Sequence, residues 1–212
     1  MRLSILAVFS VVLLISATPI AAGPITIQNP SFESPSCSAA SCVPANWTVT
    51  GGFGGEFAPG VGPWDSIPDG VQVGWSNGGT LTQILGATVA PNTDYTLSLW
   101  VSQRWSAGSF EPEINLLAGN SSVLTMNLVT PGGGVPTKNV DGTYQWVQWT
   151  LSWVSPGSGP TIGQSLGISL GSDGIQTDFD AVSLSASQAP ELAAMLLVGL
   201  GLLGVFALRR LC

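Results

Sequence analysis

The stretch Tyr95-Thr96-Leu97-Ser98-Leu99-Trp100-Val101-Ser102 decides the fold that this sequence predicts. Its odd positions are apolar or aromatic, and its even positions are polar except for Trp100. Successive side chains of a β-strand point to opposite faces, so the alternation predicts a strand with one face in a core. Trp100 then points the other way, toward solvent, a sheet edge or a ligand.

Similar runs continue outward from this strand in both directions. In the stretch from Trp146 to Trp153, every second residue from Val147 onward is apolar. Other short apolar or alternating runs, from Ile25 to Leu184, are separated by clusters of Gly, Pro, Asn and Asp. No convincing helix lies between them, and about nine strands result, which is enough for two packed sheets. The sequence therefore predicts an all-β fold, a jelly-roll β-sandwich.

The N-terminus is strongly apolar after a short basic start. Met1-Arg2 precedes the apolar run Leu3 to Ile15, and small residues follow up to Gly23. This order is typical of a secretory signal peptide, here residues 1–22 with cleavage after Ala22. A permanent N-terminal anchor is the alternative.

The C-terminus holds a second apolar segment. Leu192 to Leu208 carries no charge, and at about 1.5 Å per residue it is long enough to cross a bilayer as a helix. Arg209-Arg210 would stay on the cytoplasmic side, which places the body of the chain outside the cytoplasm. The alternative is a buried core helix.

The C-terminal residues 188–212 also resemble a known sorting signal. Pro190, Glu191, the apolar span and the pair Arg209 and Arg210 are similar to the PEP-CTERM signal of exported bacterial proteins, although Leu192 stands where that family usually has a second proline. The resemblance implies export by the Sec machinery and a precursor anchored in the inner (cytoplasmic) membrane. It also implies cutting by an exosortase-type processing enzyme and a mature form at the cell surface or outside the cell.

Between the two ends, residues 23–187 are expected to form one domain. This body has two basic residues, Arg104 and Lys138, against eleven acidic ones. Such a balance argues against nucleic acid as a partner and fits a neutral or cationic ligand or a divalent metal. Cys37 and Cys42 are its only cysteines, and an exported chain is expected to join them in a disulfide.

The order of motifs along the body resembles a galactose-binding-like jelly roll. The motifs are Asn29-Pro30-Ser31-Phe32-Glu33, the stretch from Asp69 to Val73, the strand from Tyr95 to Trp100, and Asp180-Ala181-Val182-Ser183-Leu184. They are similar to those of carbohydrate-binding modules of the CBM4/9 and CBM22 type.

This second resemblance implies a structural Ca²⁺ between the first and last strands. Glu33 and Asp180 would bind it, with carbonyl groups around Asn29 and Ser31 and with help from Asp178, since Ca²⁺ takes six to eight oxygen ligands. The alternative is a solvated carboxylate pair at a strand end.

Surface tryptophans are the candidate ligand site. Sugar rings stack on exposed indoles, and polar groups at the rim hold the hydroxyls. Alternation along the strands places Trp75, Trp149 and Trp153 in the core. The residues expected at the surface as a sugar platform are Trp64, Trp100 and Trp105, with Gln103, Arg104 and Glu113 as polar neighbours. Packing or loop anchoring by these tryptophans is the alternative.

Catalysis is not expected from this sequence. It contains no histidine, the usual base for a serine or cysteine nucleophile, and the pairs Glu111/Glu113 and Asp178/Asp180 have a spacing found on any strand. We therefore expect a non-catalytic protein of the bacterial envelope or extracellular matrix that binds exopolysaccharide. A passive matrix protein with no ligand is the alternative, and a glycan-active hydrolase is a more remote one.

Overall fold

Nine β-strands make up the regular structure of the computed structural model, which describes residues 23–38, 41–60, 62–104, 110–173 and 176–188. The all-β expectation is confirmed, and no helix occurs within these ranges. The strands are β1 Gly23–Ile25, β2 Thr48–Phe57, β3 Val73–Thr88, β4 Thr93–Gln103, β5 Pro112–Ala118, β6 Ser121–Met126, β7 Val147–Val154, β8 Ser165–Ser172 and β9 Thr177–Gln188.

The predicted signal peptide, residues 1–22, and the apolar tail, residues 192–208, lie outside the described ranges. Within those ranges, no helix has the length and apolar character needed to span a bilayer.

Strand β3 connects the two halves of the fold. All pairings are antiparallel, and the strand order is β6-β5-β8-β3-β9-β4-β7, with β1 beside β9 and β2 beside β3. The first residues of β3, Gly74 to Ser76, pair with β9, while Thr80 to Ile84 pair with β8. A long strand that changes partner in this way forms a corner of a β-sandwich.

One apolar cluster fills the space between the two halves. It joins Leu97 and Leu99 of β4 with Leu116 of β5 and Ile168 of β8, all fully buried. Trp149 is also fully buried, whereas Trp75 and Trp153 are only partly buried at the edges of the apolar clusters. The inward row expected along β4 therefore packs as its alternation predicts.

A bulge in β9 turns its acidic residues away from this core. Trp100 pairs with Asp180 and Ser98 with Ser183, so β9 contains one extra residue between these two pairs. Ala181 adopts a left-handed φ of 47° there. Val182 after the bulge belongs to the core, and so does Phe179 before it. Because alternation is interrupted at the bulge, Asp178 and Asp180 lie on the opposite face of the sheet.

The loop between β2 and β3 covers that opposite face. The Trp64 indole N–H donates to Ser102 Oγ at 2.7 Å, and the Asp69 N–H donates to Asp180 Oδ2 at 2.8 Å. The two aspartates of β9 are therefore enclosed between the sheet and this loop, although they lie outside the main core.

Candidate functional site

A second apolar cluster lies beneath the covering loop. It consists of Phe57, Trp64 and Val73, with Trp75 and Trp146 packed against it. The Trp64 ring centroid lies 6.3 Å from that of Phe57 and 5.1 Å from that of Trp146. Trp64 is only 7% exposed, so the expectation that it lies at the surface is wrong: its ring fills this cluster and its N–H is satisfied by Ser102.

Phe57 and Trp75 of this cluster line a cavity of about 290 Å³ that we call the acid pocket. Its walls combine aromatic rings with one cation: Arg104 lies over the Phe57 ring at 5.9 Å from the centroid. The Trp75 indole N–H donates to Ser41 Oγ at 3.0 Å, which fixes the second aromatic wall. The lining residues are Ser41, Phe57, Ala58, Pro59, Trp75, Arg104 and Gln176.

Asp178 is a fully buried carboxyl group beside the acid pocket. Gln176, a lining residue, donates from Nε2 to Asp178 Oδ1 at 2.7 Å. Asp178 Oδ2 is buried and has no hydrogen-bond partner among the described residues. Burial raises the pKa of Asp178 well above its usual value, while the Gln176 hydrogen bond and the Arg104 charge act in the opposite direction. Burial is the largest of these effects, and it favours the neutral, proton-bearing form.

Three other carboxylates meet at the start of β3. Ser31 Oγ donates to Asp69 Oδ2 at 2.6 Å, and Glu33 Oε1 accepts the backbone N–H groups of Val71 and Gln72 at 2.8 and 2.7 Å. Burial, together with the charges of Asp69 and Glu33, raises the pKa of Asp180 to about 7 against two backbone hydrogen bonds that lower it. A divalent cation would relieve this repulsion.

The oxygens of these carboxylates are not gathered at one point. Within the described ranges, the side chains whose ligand atoms all lie within 4.8 Å of one another are Cys37, Cys42 and Glu56. The two cysteines are joined in the disulfide that the sequence predicts. A cation between Glu33, Asp69 and Asp180 therefore requires their side chains to close around it.

Glu56 is a buried carboxyl group against the disulfide. Its Oε1 lies 3.4 Å from Cys37 Sγ, and Asn29 Nδ2 donates to its Oε2 at 3.3 Å. Burial and the nearby Glu33 charge raise the pKa of Glu56 to about 7, in spite of the Asn29 hydrogen bond.

The structure distributes the predicted metal ligands among three places. Ser31, Glu33 and Asp180 meet near Asp69. Asn29 instead directs its amide to Glu56 and its carbonyl to the Trp47 indole N–H at 3.1 Å. Asp178 has Gln176 and Arg104 as its partners, beside the acid pocket.

The predicted sugar platform is likewise not brought together as one surface. Trp100 is half-buried and lines a separate cavity, Arg104 lines the acid pocket, and Gln103 accepts from the Trp64 indole N–H through its carbonyl at 3.3 Å. Glu113 lies on β5, 3.4 Å from the Asn115 amide. Outside the described residues lie Trp105 and the sorting motif Pro190, Glu191, Arg209 and Arg210.

Sequence reasoning missed Gln176 and Asp69 and gave Asp178 a different role. The one signal for Asp178 is its place in Thr177-Asp178-Phe179-Asp180, where a carboxyl group precedes a core aromatic within a strand. No signal in the sequence reveals that the loop between β2 and β3 seals this strand from water.

The fold and site together define an all-β sandwich that carries a buried acid beside an aromatic cavity. Residues 23–185 match the model of the HpiC1 cyclase family. The chain therefore belongs to the HpiC1-like cyclases.

Several solved structures share this fold. A cyclase from Fischerella sp. TAU has a TM-score of 0.64 at 23% identity, over 80% of this chain and 99% of its own. A cyclase from Fischerella sp. TAU in complex with 4-(1H-indol-3-yl)butan-2-one also has a TM-score of 0.64 at 23% identity. That match covers 79% of this chain and 98% of the cyclase. The tandem CBM22 domains of Paenibacillus barcinonensis Xyn10C are more distant, with a TM-score of 0.50 at 16% identity over 84% of this chain and 48% of theirs. A search of curated protein sequences finds no match.

The family corrects the functional expectation. A non-catalytic binder of exopolysaccharide in the extracellular matrix, or a passive matrix protein, is wrong because the matched family consists of cyclases, which are enzymes. The absence of histidine argued only against hydrolytic triads that use histidine as the base. It did not exclude catalysis by a single buried acid.

Proposed function

We propose that this protein is an enzyme that catalyses an acid-initiated cyclisation in the acid pocket, with Asp178 as the proton donor. One observation carries the proposal: Asp178 is fully buried, with Oδ1 fixed by Gln176 and Oδ2 unpartnered among the described residues. A general acid must keep its proton at the working pH, and burial of a carboxyl group achieves this. Membership of a cyclase family supports the same reaction class.

The reaction begins with transfer of the Asp178 proton to an alkene carbon of the bound substrate. The π bond breaks as the new C–H bond forms, and the neighbouring carbon becomes a carbocation. A second π system of the substrate attacks this cation and closes the ring. Loss of a proton from the ring-closed cation returns that proton to Asp178, so the net reaction is an isomerisation.

The lining residues of the acid pocket fit these steps. Aromatic rings such as those of Phe57 and Trp75 attract cations through their π faces. Arg104 favours the ionised form of Asp178, and so it stabilises the carboxylate that remains after proton transfer. Gln176 holds the carboxyl group in place through both states.

An indole that carries an alkene is the substrate class that we infer. A Stig cyclase from Fischerella sp. TAU was crystallised with (3Z)-3-(1-methyl-2-pyrrolidinylidene)-3H-indole, and a related structure holds an indolyl ketone. Planar aromatic groups of this kind suit a small cavity with two aromatic walls.

The proposal is tested by incubating the full chain with a panel of alkene-bearing indoles in D₂O. We expect a cyclised isomer with deuterium at the carbon that receives the proton, detected by mass spectrometry and NMR. A panel of alkene-bearing phenols of similar size is the matched control, and formation of product from both panels would make the indole specificity wrong. No cyclised product from any alkene would argue against the reaction class.

Ca²⁺ is the metal that the carboxylates near β3 suit. We infer that Glu33, Asp69 and Asp180 would hold it, with Ser31 beside them, because hard cations prefer several oxygen ligands. Such an ion would tie the loop between β2 and β3 to β9, next to Asp178. Its role here is to hold the cover of the acid pocket in place.

The finer fold and the cellular location are also proposals. A galactose-binding-like jelly roll is supported by the strand order and by the fold shared with a CBM22 tandem. Export by the Sec machinery and sorting by an exosortase rest on residues 1–22 and on Pro190, Glu191, Arg209 and Arg210. Fractionation of cells expressing the full chain, with and without residues 188–212, tests the location: a body found in the cytoplasm in both cases would contradict it.

A further inference from the structure

A second cavity is lined by Trp146, which packs against the same aromatic cluster as the acid pocket. Its volume is about 350 Å³, within the range of roughly 300–1,000 Å³ usual for small-molecule sites. We call it the Trp100 cavity, and it is lined by Asp65, Ser66, Pro68, Trp100, Asn139, Tyr144, Gln145 and Trp146. The Trp146 ring centroid lies 5.1 Å from that of Trp64, with the two ring planes tilted by 44°.

Three aromatic side chains from two parts of the chain meet in this cavity. Trp100 comes from β4, and Tyr144 and Trp146 come from the segment before β7. All three are half-buried, so each ring leaves part of its surface accessible. Clustered aromatic rings of this type attract cations through their π faces, and quaternary ammonium compounds in particular.

The charge at the cavity has one sign. Asp65 is an exposed lining residue, and its carboxylate accepts from two neutral groups, Asn139 Nδ2 at 3.0 Å and Thr143 Oγ1 at 2.9 Å. These contacts orient the carboxyl group of Asp65. The described lining contains no basic side chain, although Lys138 lies on the same hairpin as the lining residues Asn139 and Tyr144 and is the bridge partner of Tyr144.

A second carboxylate lies next to Asp65. Thr143 Oγ1 is also 2.7 Å from Asp141 Oδ1, which further accepts the Thr143 N–H at 2.9 Å. These two hydrogen bonds lower the pKa of Asp141, so it stays charged. Thr143 therefore lies between two carboxyl groups at the edge of an aromatic cavity, and its single hydroxyl proton is donated to one of them at a time.

We propose that the Trp100 cavity is a second binding site, for a small quaternary ammonium compound. The trimethylammonium group would contact the rings of Trp100, Tyr144 and Trp146, and Asp65 would balance its charge. A methylated ammonium cannot donate a strong hydrogen bond, which suits a site whose carboxylate is already oriented by Asn139 and Thr143. This site is independent of the chemistry proposed for Asp178.

A ligand-observed NMR titration of the full chain with choline tests the proposal. The matched control is 3,3-dimethylbutan-1-ol, which has the same shape as choline and no charge. We expect choline to bind saturably and at least about tenfold more tightly than the alcohol, as cation–π and ionic contacts of this kind allow. Equal affinity for the two compounds, or no binding of either, would overturn the proposal.

Two variants locate the binding in the cavity. Asp65→Asn and Trp100→Leu should each weaken choline binding about fivefold or more. The control is Asp173→Asn, which removes the same charge at an exposed position outside the lining and should leave choline binding unchanged. Unfolding midpoints measured for each variant identify any that fails to fold. If Trp100→Leu fails, Asp65→Asn and the choline comparison still decide the outcome, and full affinity in Asp65→Asn would contradict the site.

Discussion

At the scale of single residues, the balance between burial and charge decides the chemistry. Removing an ionised carboxylate from water costs several kcal/mol unless a cation or several donors compensate. Asp178 has one donor and a single nearby guanidinium, so its neutral form is favoured. The sequence placed Asp178 beside Asp180 at a spacing of two and correctly put both on one strand face. It could not distinguish a metal ligand from a proton donor, because the difference lies in Gln176, Arg104 and the covering loop.

For Glu56, the balance between burial and charge can be measured through the pH dependence of the free energy of unfolding. The pKa of Glu56 rises from 4.5 to about 7 on folding, so the folded state binds the Glu56 proton more tightly than the unfolded state does. The stability that this proton contributes is present in full below pH 4.5 and is lost as the pH rises through 7. The free energy of unfolding should therefore fall between pH 5 and pH 8, and Glu56→Gln should reduce that fall.

Urea unfolding at a series of pH values provides this measurement, with the disulfide oxidised throughout. Glu113→Gln makes the same chemical change on β5 and should keep the slope of the unchanged protein. A Glu56→Gln protein whose stability falls as steeply as the unchanged one would show that Glu56 is not neutral in the fold.

At the scale of elements, β9 and the loop between β2 and β3 build the site together. The bulge at Ala181 lets Phe179 and Val182 both face the core, and it leaves Asp178 and Asp180 under the loop. Strand patterns in the sequence predicted the strands themselves, since Tyr95, Leu97, Leu99 and Trp149 are buried as their alternation requires. The alternation of apolar and polar residues does not predict a bulge. It also does not predict that Trp64, in a glycine-rich loop, is buried.

Ala181 should be sensitive to the size of its side chain. A left-handed φ costs a non-glycine residue about 1–2 kcal/mol, and more when the side chain is β-branched. Ala181→Gly should therefore raise the unfolding midpoint or leave it unchanged, whereas Ala181→Val should lower it by several degrees.

Thermal unfolding of the two Ala181 variants and of the unchanged protein checks this ordering. Ala186→Val, a substitution of the same kind on β9 after the bulge, separates the φ effect from a general effect of valine. Equal melting of Ala181→Val and the unchanged protein would mean that the bulge does not require this backbone conformation.

At the scale of the whole molecule, two sheet halves form the core, and a covered outer face carries the proposed active site. The sequence predicted the all-β sandwich because alternation and turn residues report on the core. It led to the wrong functional class, since exposed tryptophans and the absence of histidine suggested a binder. The acid pocket is assembled from β2, β3, the end of β4 and the start of β9, and no local pattern contains it.

Calcium should stabilise the whole fold if the carboxylates near β3 bind it. A ligand at one hundred times its dissociation constant adds about 2.7 kcal/mol to the stability of the folded state. We expect millimolar Ca²⁺ to raise the melting temperature of the full chain relative to EDTA, and Asp69→Asn to remove most of that increase. Glu111→Gln is the matched control for the loss of an acidic group elsewhere, and identical melting with Ca²⁺ and EDTA would contradict the site.

The most direct test of the central claim is the cyclisation rate of Asp178→Asn, measured with the alkene-bearing indole that the unchanged protein converts fastest. Asparagine keeps the size of the side chain but cannot supply the proton, so the rate should fall by about 10²–10⁴, the usual contribution of a general acid. The melting temperature should stay the same or rise, because a buried ionisable group has been removed. A variant that is folded and cyclises the substrate at the original rate would show that Asp178 is not the acid.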